Sequence, residues 1–567
     1  MISKCGHTYK NIKLDNKCFK WYNEAIPLNG GFIMATKSQK YHLDIQTHRK
    51  NPYGLLRTSY RQGTKTLHET MCRITGFSLE QLRAIQAAIQ GKTVMKENFI
   101  ITDNREYGAS FVGVSLIKQL GLHTDIFSRS AEKWVKSVIA MIVGRLVYAG
   151  SKLSLSHCGS YSALWEICGI NEEIDVDVHC YESMDRLFER QSAIQKKLAA
   201  KHLSNGTLVL YDITSSYMEG EYEDSEIVCF GYNRDKKKGH KQIVISLLCN
   251  RDGCPVAVEV FEGNTKDETT VLDKIDEIAE KYGLDKIIFV GDRGMVTQAK
   301  YDKINHELVK VVTALTHSKI QELCKEEVIQ LGLFDEKNIV EVIDGDARYC
   351  LCKNPDMAIK ETQTRLRLLQ KTTDELDKII KSTKKGKYSK SVRAGKVMNK
   401  FKMGKFITFE GTDENLTYRI DHTKIEQEAV LDGCYIVFTD VPQEDMTAVD
   451  AVANYKSLLK VEQAFRNMKT VRLEIRPVYH KTDDRIKCHV FICMLAYYVM
   501  WHMNQRLTPF FATDGVGPDR KYTFDYVMES LKRISIQNVE VCGAKSSVIT
   551  KPTGEQARIL KHLGVSL

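Results

Sequence analysis

Asp212 follows the apolar run Thr207–Tyr211 (TLVLY), and Asp292 follows Lys286–Gly291 (KIIFVG). Both runs read as buried strands, so each carboxylate is expected just beyond the carboxyl end of a strand, where open α/β sheets place their ligands. A third acid, Glu462, lies on a stretch that reads as one long amphipathic helix, Met446–Lys469. Two aspartates and a glutamate are hard oxygen ligands suited to two divalent cations, and Mg²⁺ takes few carboxylates while keeping waters and phosphate oxygens in its shell. Two such ions close together activate a water or a 3′-hydroxyl and stabilise the departing oxygen of an in-line displacement at phosphorus.

The Glu462 helix carries more than the acid. Tyr455, Glu462 and Lys469 are spaced by seven, so they drift by only about 20° per heptad, and Arg466 sits one turn after Glu462. At about 100° per residue Leu458, Leu459 and Phe465 flank this polar stripe, while Ser457, Lys460 and Asn467 take the other side. The stripe therefore runs through the apolar face and turns toward the protein. A set of buried ion pairs, such as Glu462 with Arg466, is the alternative reading of the helix taken alone.

The elements that must position these groups follow from pattern. Ile243–Leu248 and Val256–Val260 read as two further strands joined by an Asn250–Gly253 turn. A helix is expected over Thr269–Tyr282, another from about Thr297, and a strand over Val309–Leu315. Three antiparallel strands, a helix, a strand, a helix and a strand is the order of an RNase H-like sheet. Cys434–Thr439 returns to strand before the Glu462 helix, and Arg485–Met503 follows as an apolar helix. Upstream, Tyr53–Ile74 reads as a hairpin about Gln62-Gly63. Ser78 with Gln81 reads as a capping box opening a helix, and Trp134–Val147 and Tyr181–His202 read as helices. Fold class is α/β, α+β overall.

Several segments resemble the catalytic blocks of DDE insertion-sequence transposases. Tyr211-Asp212-Ile213-Thr214-Ser215-Ser216-Tyr217, followed by Gly231-Tyr232-Asn233-Arg234-Asp235 and Lys241-Gln242, is similar to the first block. Gly263-Asn264-Thr265 with Asp267, and Gly291-Asp292-Arg293-Gly294-Met295, are similar to the second. The third block, in the subgroup with a YREK signature, runs Y-x₂-R-x₃-E-x₆-K; here it reads Tyr455, Leu458, Glu462 and Lys469, with leucine in place of arginine. Arg476-Pro477-Val478-Tyr479-His480 and Arg485-Ile486 continue the likeness, which covers about 134–506.

The resemblance implies an RNase H-like catalytic core with a β-containing insertion, and a separate N-terminal region that binds terminal repeats. It implies Asp212, Asp292 and Glu462 as catalytic metal ligands for two Mg²⁺ ions, with Mn²⁺ as a substitute. Tyr455, Arg466, Lys469, Lys241 and Arg293 are the expected DNA-contacting residues. Arg234, Lys236, Lys237, Lys238, His240 and Lys241 would line the same groove or form a solvated loop. The implied partners are double-stranded DNA (terminal inverted repeats and target) and a second copy of the chain in the DNA complex, with no membrane. The implied location is cytoplasmic, at the nucleoid. A nuclease lacking strand transfer and a domesticated DNA-binding protein are the rival readings; all three acids are present, which argues against the second.

Composition fits this reading. The 567 residues are 43% hydrophobic and 27% charged, ordinary for a globular chain. Collagen, mucin and bulk disorder are excluded. Lys plus Arg exceeds Asp plus Glu by 10, from 82 against 72, and the stretch 361–405 alone holds 14 basic and 4 acidic residues. Such density attracts polyanions, although a charge run is also what a solvated helical face looks like. The 16 cysteines, with no signal peptide expected at the start, read as reduced thiols. The longest apolar run, Val490–Trp501, is short of the roughly 20 residues that span a bilayer.

Cys5, His7 and Cys18, or Cys488, His489 and Cys493, lack the paired spacings of structural zinc sites; Cys488 and Cys493 read as core thiols. The histidines are dispersed along the chain and form no cluster in the sequence, so a His-based metal site gains no support from it. No Walker A or dinucleotide fingerprint is present. The expected organisation is a β-rich region over 1–76, a helical repeat-binding region over 77–204, the first part of the core over 205–315, a basic insertion over 316–432, the second part with the Glu462 helix over 433–508, and a polar C-terminal tail over 509–567.

Overall fold

The apolar runs ahead of Asp212 and Asp292 are neighbouring strands of one sheet. A computed structural model describes residues 41–567 apart from 49–50, 63, 91–98, 233, 236, 238, 266–280, 294, 297–300, 305, 383–388, 413, 516–519 and 542–543. The helices expected over Thr269–Tyr282 and from Thr297 fall mainly outside the described residues, as do Cys5, His7 and Cys18. The chain divides into two units.

The larger unit is built on strands β1 (Thr207–Tyr217), β2 (Gln242–Asn250), β3 (Pro255–Glu262), β4 (Ile287–Gly291), β5 (Val309–Ala314), β6 (Val340–Asp344), β7 (Ala347–Lys353) and β8 (Cys434–Thr439), in the order β6-β7-β8-β5-β4-β1-β2-β3. β1, β2 and β3 are antiparallel, and β4 and β5 run parallel to β1. This is an RNase H-like sheet, extended at the β5 edge by three antiparallel strands. β2 is buried at eight consecutive positions, as a strand covered on both faces must be.

Helix α1 (Lys133–Val147) and helix α2 (Gln191–His202) precede the sheet. The single helix expected over Tyr181–His202 is divided, with Glu182–Phe188 forming a separate helix ahead of α2.

The stretch expected as one insertion also divides. Val340–Asp344 and Ala347–Lys353 join the main sheet, where Tyr349, Leu351, Ile436 and Phe438 share a core with Ile320 and Leu323. The remainder forms helices α3 (Pro355–Lys381) and α4 (Lys390–Phe401) and a two-stranded hairpin, Ile407–Glu410 with Thr417–Ile420. It has its own core of Leu376, Ile379, Ala394, Val397, Phe406 and Leu416. Its charge is partly balanced from outside the basic run: Lys405 pairs with Glu428, and Arg365 makes a buried pair with Asp432.

The Glu462 segment departs most from expectation. In place of one helix it forms α5 (Ala448–Lys456), α6 (Leu459–Arg466) and a π-turn over Asn467–Val471. The cause of the first break is local. Ser457 Oγ donates to the Ala453 carbonyl at 3.1 Å, a back-bond that bends helices, and Leu458, Lys460 and Val461 amides donate three residues back. This tightening, followed by widening at the π-turn, voids the constant rotation per residue on which a heptad stripe rests. Leu458 is buried and Leu459 is 58% exposed, the reverse of two equivalent flanks.

α7 (Asp483–Ala512) is 30 residues long and, by length and composition, apolar enough to cross a membrane; its most apolar window is 83% buried inside the fold. It packs on α1, on Glu182–Phe188 and on β3. Cys488 and Cys493 are buried free thiols within it.

In the smaller unit, Tyr41–Gln46, Tyr53–Gln62 and Lys65–Ile74 form an antiparallel meander. Helix Leu79–Ile89 opens on the Ser78/Gln81 capping box. The C-terminal stretch expected as a polar tail is folded: Ser535–Val541 pairs with Ala544–Ile549 on one side and Phe99–Glu106 on the other. A short, half-polar strand whose partner lies hundreds of residues upstream leaves no local signal.

Because Leu458 is buried at the turn between α5 and α6, Leu458→Arg places a guanidinium in apolar surroundings, at a cost of several kcal/mol. We expect a marked fall in melting temperature for Leu458→Arg and little change for Leu458→Met, measured by differential scanning calorimetry.

Candidate active site

β1 and β4 run parallel with Tyr211 opposite Gly291, so the next position of each strand places Asp212 beside Asp292, about one strand spacing of 4.8 Å away in the sheet direction. Asp292 lies just past the end of β4, as expected. Asp212 does not end its strand: β1 continues to Tyr217, paired with β2 through Ile213, Thr214 and Ser215. What ends at Tyr211 is the parallel pairing with β4, and Asp212 occupies the step where β1 loses that neighbour.

Glu462 stands in the first turn of α6, which packs across β1. Burial is the main cause that pushes the Asp212 carboxyl up to about 7; Asp292 and Glu462 raise it further, while the Ile213 amide and Arg234 oppose the shift. Tyr455 donates from its hydroxyl to Asp292 Oδ1 at 3.2 Å. Burial, Asp292 and Glu462 push that phenol well above its ordinary range. Three carboxylates close enough to shift one another suit hard divalent cations, so the donor set fits the metal expected of it.

The expected DNA-contacting residues have different surroundings. Arg293 and Arg466 are exposed beside Asp292 and one turn after Glu462. Lys241 is half-buried and donates to the Tyr222 carbonyl at 3.2 Å. Lys469 is 8% exposed, and its amine donates to Thr214 Oγ1 at 3.1 Å, to the Ser215 carbonyl at 2.5 Å and to Asp235 Oδ1 at 3.0 Å. Asp235 also takes Arg476 Nη1 at 3.0 Å, and the Arg476 guanidinium lies 4.4 Å over the Tyr217 ring. One carboxylate thus ties the π-turn after α6 and the following segment to the far half of β1.

Asp235 closes the segment Gly231-Tyr232-Asn233-Arg234-Asp235, where its residue type alone suggests no partner. Its two cationic partners lie more than two hundred positions away, so no local spacing could reveal it. Arg234 completes the same arrangement, donating to the Ile213 carbonyl while its amide donates to Ser215 Oγ at 3.0 Å. Lys236 and Lys238 lie outside the described residues.

A carboxyl whose folded pKa is raised lowers stability as pH climbs from its unfolded value, about 3.9, to its folded one, about 7. Below that window both states are protonated; above it the full penalty applies. Asp212→Asn should therefore melt higher than the parent chain at pH 8 in chelator, with the gain shrinking toward pH 4. Calorimetry across that range checks the sign.

A family model described as "Transposase DDE domain" matches residues 205–499, the span from the start of β1 into α7. Comparison with curated proteins gave no match. Among solved structures, the cryo-EM structure of a piggyBac transposase synaptic complex with hairpin DNA is similar at a TM-score of 0.35 and 8% identity, covering 75% of this chain and 76% of that one; a likeness of this size carries no weight here. The family match spans more than half of the chain, together with both aspartates, the Glu462 helix and the sheet that unites them, and the chain belongs to the DDE-domain transposases.

Proposed function

We propose that this transposase cuts DNA at the ends of its own insertion sequence and joins the freed 3′-ends to target DNA, with Asp212, Asp292 and Glu462 holding divalent metal, Mg²⁺ by preference. The observation that carries the reading is the convergence of these three acids from β1, β4 and α6, with Asp212 pushed up to about 7. Bound there, divalent ions supply an activated water or 3′-hydroxyl and stabilise the leaving oxygen.

The chain's own residues hold the site in shape. Tyr455 fixes one oxygen of Asp292 and leaves the other to face the ligand. The Lys469–Asp235–Arg476 group anchors the end of the Glu462 segment on β1, so Glu462 is positioned from both directions along the chain. Arg293 and Arg466, exposed beside the acids, serve phosphates flanking the cut; arginine grips phosphate oxygens with paired donors. Lys469 contributes as an anchor first, because its amine already has three protein partners. Terminal-repeat recognition is assigned to the helical stretch 77–204, non-specific affinity to the basic insertion, and the active assembly to a homodimer on DNA.

Three metal-holding acids act as one unit, so single neutral substitutions should each nearly abolish cleavage and a double one should add little. For Asp292→Asn and Glu462→Gln we expect almost no Mg²⁺-dependent cleavage of terminal-repeat DNA but preserved binding by gel shift. Substantial cleavage by Asp292→Asn would refute the assignment. Strand-transfer products from the parent chain separate a transposase reaction from simple nuclease action.

The insertion is tested separately. Lys390 donates to the Ile380 carbonyl at 2.7 Å, so it is left unchanged; Lys384, Lys385 and Lys387, outside the described residues, are neutralised together. Each lost phosphate contact should reduce the slope of log K against log salt by about 0.9 on duplex DNA. An unchanged slope identifies this run as a solvated face.

A further inference from the structure

The sequence places its histidines far apart, yet the fold gathers two of them with a cysteine. His202 is the last residue of α2, Cys254 directly precedes β3, and His502 lies on α7. One potential ligand atom from each lies within 4.8 Å of the other two. All three belong to the larger unit, and none is shared with the carboxylate site. From this juxtaposition we infer a second metal site, His202–Cys254–His502, that takes a borderline-soft cation of the zinc type.

Three observations bear on it. First, the donor chemistry is selective: two imidazoles and a thiolate suit Zn²⁺ and not Mg²⁺, which demands oxygen ligands. Second, His502 Nε2 is buried with no hydrogen-bond partner among the described residues; a buried polar atom left so calls for a specific explanation, and a cation ligated there provides one. Third, the residues are held from behind. The Tyr498 hydroxyl is 2.9 Å from His202 Nε2, the kind of contact that orients a metal-binding ring. Asn250 Oδ1 accepts from the Cys254 amide at 2.9 Å and fixes the turn that presents the thiol.

A tetrahedral zinc shell with bonds of about 2.0 to 2.3 Å separates its ligand atoms by less than 4.8 Å, so closure needs only small side-chain rotations. Three protein ligands leave a fourth position for water. On binding, the Cys254 thiol gives up its proton to solvent and a sulfur–metal bond forms, with no change of oxidation state. The ion would fasten the end of α2 and the central helix α7 to the start of β3, the edge strand of the sheet. That is a structural role, distinct from the catalytic metals in ligand type and in preferred ion.

The test uses the full chain, stripped with chelator and then titrated with Co²⁺ in excess Mg²⁺, which occupies the carboxylates. We expect one tightly bound equivalent per chain, with a thiolate-to-cobalt charge-transfer band and the strong visible absorption of a tetrahedral site, both removed by Zn²⁺. Cys254→Ser should lose the charge-transfer band, and His502→Gln should weaken binding about tenfold or more. With Mg²⁺ already saturating, added Zn²⁺ should raise the melting temperature of the parent chain further, and should do so less in Cys254→Ser. Absence of a tight equivalent in the parent chain, or an unchanged band in Cys254→Ser, overturns the proposal. Should either variant fail to fold, X-ray absorption on the zinc-loaded parent chain decides: a shell containing one sulfur and nitrogens supports the site, and an all-oxygen shell refutes it.

Discussion

Three carboxylates of one sign, Asp212 half-buried and Asp292 and Glu462 exposed, repel one another, and the rest of the larger unit is arranged to keep them together. The register of β1 against β4 sets the first pair. It is a backbone constraint, made by main-chain hydrogen bonds running from Thr207 to Tyr211, and so is insensitive to the charge it imposes. The third acid comes from a helix that backbone pairing cannot hold, and for that reason it depends on side chains: Tyr455 reaching Asp292 from one end, Lys469 reaching Thr214, Ser215 and Asp235 from the other. Rigid strands fix two charges and a web of polar contacts fixes the third.

The division between what the residues disclosed and what they did not follows the range of the interactions. β2, β4 and β5 are written in mostly apolar runs rich in β-branched residues, as buried strands are, and were legible. The place of Asp292 just past β4 was legible too, whereas Asp212, expected at a strand end, lies inside β1. The extent of β1 was not: Thr214, Ser215 and Ser216 are three polar residues in a row, and only pairing with β2 makes this stretch strand. The division of the Glu462 helix was equally hidden, because Ser457 is unremarkable as a residue type and acts through a bond to a carbonyl one turn back. Asp235, shared between Lys469 and Arg476, and the His202–Cys254–His502 group lie beyond any local pattern. Each joins positions that only the completed sheet and α7 bring together.

The stretch that resembles a YREK signature matches it at three letters of four, and its four positions have unlike surroundings. Its tyrosine and glutamate positions sit at the carboxylates here, but its lysine position lies in a π-turn and points into the protein, and its arginine position is a buried leucine at the tightened turn. The spacing of a signature is thus a record of helix geometry as well as of chemistry. Where the geometry changes, a position can be reassigned from contacting a ligand to holding the helix that contacts it.

The module carried between β7 and β8 enters and leaves through a single neck. β7 and β8 are adjacent antiparallel strands, the Asn354 amide donates to the Gly433 carbonyl at 2.8 Å, and the Gly433 amide donates to Glu361 Oε2 at 2.8 Å. With its ends this close and its own apolar core, the module is topologically an overgrown hairpin loop. Its length and content are therefore uncoupled from the strand register that seats Asp212 and Asp292. Evolution can lengthen, trim or exchange such an appendage, and with it the basic surface it carries, without retuning the chemistry beneath; a tight turn from Lys353 to Cys434 would restore the bare sheet.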